Sequence, residues 1–357
     1  VDVVVELIGG SDGIAKDLIE AGLGNGKHVV TANKALVAHH GAALAVKAED
    51  AGLVLAYEAA VAGGIPIIKA LREGLSANTI DHVYGVLNGT CNYILTSMRE
   101  TGKEFETVLT EAKEFGYAET DPAFDIEGID AAHKLAILAS LAFGCRVNFD
   151  AAHVEGIRHV SPLDIEFAEE LGYRIKLLGI AGRVAGGIEQ RVHPCMVSLD
   201  APIAHVEDVF NAVVVHGDYV DTALFQGRGA GGGPTSSAVI ADIADIASGR
   251  TSHTFGVPAA RLADLQTVPM SERLGSYYVR FTVIDRPGVF AEIASALSNH
   301  DVSMEAVLQR GHSPGEPVSV VLTTHETREA AMIATIDAID KTEAVVEPTR
   351  MIRIERF

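Results

Sequence analysis

The chain has 357 residues, enough for two or three domains with a sizeable core, and its 48% hydrophobic and 21% charged residues are ordinary for a soluble globular protein. Acidic residues outnumber basic ones 48 to 28, and a net charge of -20 repels phosphate backbones, which argues against nucleic acid as a partner while leaving small charged metabolites open. Three scattered cysteines, Cys91, Cys145 and Cys195, show neither a disulfide framework nor a zinc spacing and suit a reducing cytoplasm, and no apolar run reaches the roughly 18 residues of a membrane helix.

The chain opens at Val1 directly into VDVVVELIGG, a buried-strand pattern. Short β-branched runs at 3–8, 28–32 and 53–58 alternate with helical patterns at 12–24 and 34–51, each ending in glycine. That alternation predicts a parallel sheet with right-handed crossovers. The first strand ends in GGSDG, which does not fit G-x-G-x-x-G, so only part of a doubly wound, Rossmann-like domain is expected. A mixed α+β region follows over 58–227, with helices predicted at 64–74, 89–101, 104–115, 126–144 and 164–172. Its strands are predicted at 79–87, 175–184, 191–198, 212–216 and 220–226. The glycine-rich GRGAGGGP then leads into an amphipathic helix, and 228–250 is assigned with 1–57 to the partial dinucleotide-type domain. The proline-marked stretch 251–275 reads as a linker. From Tyr277 the order is YYVRFTVID strand, RPGVFAEIASALSNH helix, SMEAVLQRG strand, PVSVVLTTHE strand, REAAMIATIDAIDK helix and AVVEPTRMIRIERF strand. This βαββαβ order predicts a small ferredoxin-like domain over 276–357.

Within AETDPAFDIEGIDAAHKLAIL, Asp130 and Lys134 are four apart and so lie on one helix face. A surface ion pair is one reading, but the flanking IDAAHKLAILASLAF is too apolar for a mostly solvated helix; His133 is read as structural. The preceding loop adds carboxylates beside Tyr117 and Gly116, and acids next to a lysine suit a zwitterionic substrate. Asp121 and Glu127 are read as turn residues. In HVVTANKAL, Lys34 stands past a parallel strand at a helix start, where a cation opposes the helix dipole. It is either an ordinary surface lysine or serves an anion or reacting oxygen. YEAAVAGGIPIIKAL is either a plain strand-to-helix turn or a set of carbonyls around Glu58 that holds a monovalent cation. NGTCNYI begins a helix whose free N–H groups can meet a carboxylate or phosphate. Its Cys91 is either a nucleophile of the acyl-enzyme kind or an inert buried thiol. GRGAGGGP allows close backbone approach to a phosphate, and Asp285-Arg286-Pro287-Gly288 reads as a tight connection.

Taken together and in order, VVTANKAL, YEAAVAGGIPII, LNGTCNYI, GYAETDPAFDIEGIDAAHKLAI and GRGAGGGPTSSAV resemble the motifs of monofunctional homoserine dehydrogenases with a C-terminal ACT domain, over essentially the whole chain. The resemblance implies an α/β protein with a partial Rossmann-like sheet, a mixed catalytic and dimerisation domain, and a regulatory ACT domain. It implies interconversion of L-aspartate 4-semialdehyde and L-homoserine with NADP(H) or NAD(H), on the route to threonine and methionine. Lys34 and Lys134 would handle the proton of the aldehyde oxygen, Asp130 and Glu119 would bind substrate, and Asp125, Tyr117, Thr90 and Gly89 would line its pocket. The Glu58 side chain and the carbonyls of Val61, Gly63 and Ile65 would hold sodium or potassium, and Gly9, Thr31, Lys34 and Gly231 would touch the dinucleotide. A cytoplasmic homodimer or homotetramer, with threonine as the effector, is the accompanying expectation. The family's first strand, G-x-G-x-x-G loop and following helix do not precede Val1, so the chain is expected to be a piece of a longer protein. Two other readings stand beside this one: a non-catalytic amino-acid-binding regulatory protein, and an acylating semialdehyde dehydrogenase using Cys91.

Overall fold

The computed structural model describes residues 1–310 and 314–357; Gly311, the last residue of one expected strand, lies outside them. In chain order the elements are β1 (Val3–Glu6), α1 (Ile14–Gly24), β2 (His28–Thr31), α2 (Lys34–Asp50), β3 (Leu55–Ala56), α3 (Ile67–Lys69), β4 (Ile80–Val86), α4 (Gly89–Thr101), α5 (Phe105–Glu114), α6 (Ala123–Ile126) and α7 (Ile129–Phe143). There follow β5 (His153–Val154), α8 (Pro162–Glu170), β6 (Tyr173–Val184), β7 (Gly187–Ser198), β8 (Phe210–Gly217), β9 (Asp221–Arg228) and α9 (Gly232–Ala247). The last are β10 (Leu274–Ile284), α10 (Val289–Asn299), β11 (Met304–Gln309), β12 (Pro317–Thr324), β13 (Thr327–Arg328), α11 (Glu329–Ile339) and β14 (Val345–Glu355). The chain divides into two compact units: Val1–His159 with Leu177–His193 and Val206–Val268, and Val160–Lys176 with Pro194–His205 and Pro269–Phe357. Among the described residues no helix is long and apolar enough to cross a membrane.

In the first unit β1, β2 and β3 form a parallel sheet in that order, Val5 opposite Val30 and Val29 opposite Leu55. The expected third strand is cut to Leu55–Ala56. Ala15, Ile19 and Leu23 of α1 pack with Leu36, Leu44 and Ala48 of α2 on Val29 and Leu55, as a crossover helix pair must on a half-buried sheet. Ala238 and Val239 of α9 pack with Val30 and Ala56. A second group of strands is antiparallel: β4 lies between β6 and β8, and β9 pairs with β8. Helix α7 packs on β4 and α2, and every residue from Asp130 to Leu141 is buried. A helix that is apolar all round belongs in a core, so its two charged residues are buried with it.

The stretch expected to be a linker is, up to Val268, part of this unit. Phe255 is fully buried beside Tyr57, whose hydroxyl donates to the Thr254 carbonyl, and Ala263 N–H donates to the Gly144 carbonyl. Composition signalled a connection, but its apolar residues find partners that lie far away in the sequence. The helix expected over 64–74 starts at Ile67 and closes in a π turn over Ala70–Gly74.

In the second unit the βαββαβ order is present, with strands ordered β11-β12-β10-β14 and all antiparallel. Alternate residues of β10, Tyr277, Val279, Phe281 and Val283, join Ile293, Leu297, Met332 and Ile339 in one core. Residues 160–176 and 194–205 belong to this unit rather than to the region 58–227 as drawn from sequence. Two interactions account for that: β14 pairs in parallel with the end of β7, Arg353 opposite Cys195, and Asp164 holds the far face of β10. Ser161 and Asp164 form a capping box at the start of α8. The Asp164 carboxylate, 1% exposed, also accepts from Arg280 Nε at 2.7 Å, Arg280 Nη2 at 3.1 Å and the Tyr278 hydroxyl at 3.0 Å. Removing one partner of a buried charge pair strands the other, so Asp164→Ala is expected to lower the unfolding free energy by about 3 kcal/mol, read from urea denaturation.

Candidate active site

A cleft of about 670 Å³ in the first unit is lined by Lys34, Gly89, Thr90, Tyr117, Glu119, Asp125, Asp130, Lys134 and Gly231, together with Asn88, Asn211 and Arg228. Its centre is the start of α7. Gly128, at φ 83°, makes the left-handed turn that begins the helix, and Asp130 occupies the first turn, where a carboxylate is favoured. One turn on, Lys134 Nζ donates to Asp130 Oδ2 at 2.7 Å and to the Leu87 carbonyl at 2.8 Å. Lys34 Nζ approaches the other oxygen, Asp130 Oδ1, at 3.2 Å. Each oxygen of one buried carboxylate therefore faces an ammonium group from a different helix.

Burial opposes ionisation of Asp130, but Lys134, Lys34 and the bonds from Lys134 and Asn88 outweigh it and hold the carboxyl down to about 2. Asp125 goes the other way, because burial raises its pKa more than the hydrogen bond from Asn88 lowers it. Lys34 keeps 34% of its side chain exposed against 11% for Lys134, so Lys34 is the more accessible ammonium.

Asn88 was not singled out from the sequence. Its Oδ1 accepts the Cys91 N–H at 2.8 Å, and its Nδ2 donates to Asp125 Oδ1 at 2.8 Å and Asp130 Oδ2 at 2.9 Å. An asparagine before a helix signals a cap, and nothing local signals where its amide hydrogens go. The Thr90 hydroxyl donates to the Tyr117 carbonyl at 2.9 Å and lies 3.3 Å from Asp125 Oδ2. The Tyr117 ring leans on Tyr93, and Glu119 lines the cleft from an exposed loop. Asp121 accepts the Ala123 N–H and Glu127 pairs with Arg158, both outside the cleft.

A second cavity of about 440 Å³ lies past the carboxyl ends of β1 and β2, lined by Gly9, Gly10, Asn33, Lys34, His39, Phe124 and His133. Lys34 borders both cavities. Gly9 and Gly10 have φ of 88° and 85°, which leaves the turn free of side chains where a ligand backbone can approach. Glu6 organises this turn by accepting the Ile8 and Gly9 N–H groups and the Thr31 hydroxyl, so Thr31 is buried and turned toward Glu6. Asn33 caps α2 and donates to the Gly10 carbonyl. Gly231, at φ 112°, starts α9 beside the main cleft. His133 stacks on Phe149 and meets His39 at 3.2 Å; burial, then His39, lowers its pKa to about 4, so it is neutral.

Glu58 is buried, its carboxylate accepting the N–H groups of Ile68 at 2.9 Å and Lys69 at 3.0 Å, and burial pushes its pKa up to about 7. Val61 and Ile65 are buried close by in sequence, and a Cβ on Gly63 would stand 2.9 Å from the Gly229 carbonyl oxygen, so only glycine fits.

Profiles of known families match the chain in three places: homoserine dehydrogenase over residues 66–244, the NAD-binding domain of homoserine dehydrogenase over 1–58, and the ACT domain over 277–343. A homoserine dehydrogenase of Pseudomonas aeruginosa is 47% identical over 100% of this chain and 84% of its own length. One of Neisseria gonorrhoeae is 48% identical, over 99% of this chain and 83% of its own length. The crystal structure of a homoserine dehydrogenase from Thiobacillus denitrificans has a TM-score of 0.94 at 48% identity, covering 99% of this chain and 82% of that one. A hyperthermophilic archaeal homoserine dehydrogenase in complex with NADPH has a TM-score of 0.62 at 30% identity, covering 71% of this chain and 73% of its own.

Cys91 is fully buried, its thiol against the Asp125 carbonyl, and burial raises its pKa well above the ordinary value. Nucleophilic use needs an accessible thiolate. Cys145 and Cys195 are buried too. A colorimetric thiol reagent is expected to find no reactive cysteine in the native protein and all three after denaturation; rapid native labelling of Cys91 would revive the acylating reading.

Proposed function

Because the chain belongs to the homoserine dehydrogenase family, we propose that the cleft around Asp130 is where its reaction, the NAD(P)-dependent interconversion of L-homoserine and L-aspartate 4-semialdehyde, takes place. The observation that carries this reading is the single carboxylate shared by two ammonium groups at the cleft floor. When bound, the dinucleotide supplies or receives the hydride. The glycine turn at Gly9 and Gly10, which carries no side chain, the start of α9 at Gly231, where the first N–H groups of a helix lack intrahelical partners, and the Lys34 side chain, which borders both cavities, are the parts of this chain that fit it.

In the reducing direction the aldehyde oxygen gains negative charge and must take a proton. Lys34 and Lys134 both stabilise that charge, one of them gives the oxygen its proton, and Asp130 holds both in place. Glu119 and Asp130 bind the substrate, with Asp125, Tyr117, Thr90 and Gly89 lining its pocket; Gly89 and Thr90 at the start of α4 offer N–H groups to its carboxylate. Lys34→Ala and Lys134→Ala are each expected to lower kcat by about 100-fold or more, with a smaller effect on KM. A rise in KM at unchanged kcat would contradict this assignment.

A sodium or potassium ion held by Glu58 and the carbonyls of Val61, Gly63 and Ile65 is part of the same proposal. A carboxylate whose folded pKa is raised destabilises the fold increasingly as pH rises from its unfolded value of about 4.5 through 7. A bound cation offsets that cost only where Glu58 is ionised. Potassium chloride is therefore expected to raise Tm relative to tetramethylammonium chloride of equal ionic strength at about pH 8, less so near pH 5, and not at all in Glu58→Gln.

The ACT domain is proposed to bind threonine as the pathway's feedback effector, in a cytoplasmic homodimer or homotetramer. Calorimetry with threonine tests the effector and light scattering tests the assembly.

A further inference from the structure

We infer that Asn88 is a positioning residue for the proton-handling pair, one that fixes the spacing and shared charge of the two carboxylates in the cleft. The inference rests on the site assignment above and concerns a residue that touches neither ammonium directly.

Asn88 is 5% exposed and sits between the end of β4 and the first turn of α4. Its side chain has one strong acceptor and two N–H donors, and all three are engaged. The acceptor caps α4 through the Cys91 N–H at 2.8 Å; one donor reaches Asp125 Oδ1 at 2.8 Å, the other Asp130 Oδ2 at 2.9 Å. Asp125 comes from α6 and Asp130 from α7, so this amide ties three helices through two of the carboxylates that line the cleft. The residue before it completes the grip, because the Leu87 carbonyl accepts from Lys134 at 2.8 Å. Consecutive residues thus hold both members of the Asp130–Lys134 pair, one by a donor and one by an acceptor.

Capping alone does not require asparagine. Serine, threonine and aspartate cap helix starts about as well. None of them offers an acceptor together with two donors on one planar group, so none can cap α4 while donating to both carboxylates. The chemistry selects the amide.

Asn88→Asp separates the two roles. It keeps the size, the planarity and the cap acceptor, and replaces both donors by an oxygen. Where all three carboxyl groups of that variant are ionised, three anions face one another with no amide donor between them. When the trio carries one shared proton, an O–H stands in for one lost N–H. In the intact enzyme, kcat/KM at about pH 8 is expected to fall about 30-fold or more, chiefly in kcat, with the loss shrinking as pH is lowered toward about 6. Asn88→Ser keeps the cap, supplies at most one donor, and is expected to lose about tenfold without that pH tilt. Activity of Asn88→Asp within about threefold of wild type, with a parallel pH profile, would reduce Asn88 to a cap and overturn the inference; if that variant does not fold, Asn88→Ser within about threefold overturns it instead. Lys134→Ala, measured alongside, keeps the two failures apart. If it stays active the site assignment is wrong, whereas an impaired Lys134→Ala beside an unimpaired Asn88 variant removes only the role given to Asn88.

Discussion

One carboxylate organises the first unit of this protein. Asp130 is buried in a helix that touches solvent almost nowhere, and it stays ionised because an ammonium group faces each of its oxygens. A lone buried carboxylate would take up a proton or move to the surface. Keeping it charged therefore requires α2 to present Lys34, α7 to present Lys134 one turn along, and the end of β4 to supply the Leu87 carbonyl and the Asn88 amide. The alignment of these elements is the condition for a stable core as well as for the proposed chemistry. Stability and the proposed chemistry draw on the same contacts here.

Lys34 stands where the two cavities of the unit meet, with Phe124 under its ammonium at 5.8 Å. In the proposed reading the main cleft takes the amino-acid substrate, and the parts that fit the dinucleotide, Gly9, Lys34 and Gly231, between them border both cavities. Lys34 then serves both. Its unfavourable place at a helix start makes sense on those terms, because the charge answers to Asp130 and to the reacting oxygen rather than to the helix dipole.

Much of this was legible in the sequence, for physical reasons that differ from residue to residue. The four-residue spacing of Asp130 and Lys134 sets their shared face whatever the tertiary structure, and the apolar flanks announced that the face is buried. The strand–helix alternation of residues 3–56 and the βαββαβ order after Tyr277 are local patterns that the fold retains. Partners distant in sequence were not legible. Nothing near Asn88 points to Asp125 and Asp130, nothing in 251–268 announces that Phe255 lies against Tyr57, and nothing in 160–176 announces Arg280. Thr31 shows the same limit, since its hydroxyl turns to a carboxylate 25 residues upstream. Motifs report residue types and periodicities; the direction of a buried side chain is decided by what packs around it.

The burial of α7 on every side also bears on the order in which the molecule comes apart. Beyond the turns that border the cleft, this helix is enclosed by its neighbours, β4 and α2 among them, so the amide hydrogens of its middle are expected to exchange with solvent only when those elements separate. Asp130 and Lys134 thus hold their geometry through a buried helix, whereas Glu119 and Tyr117 reach the same cleft from an exposed loop.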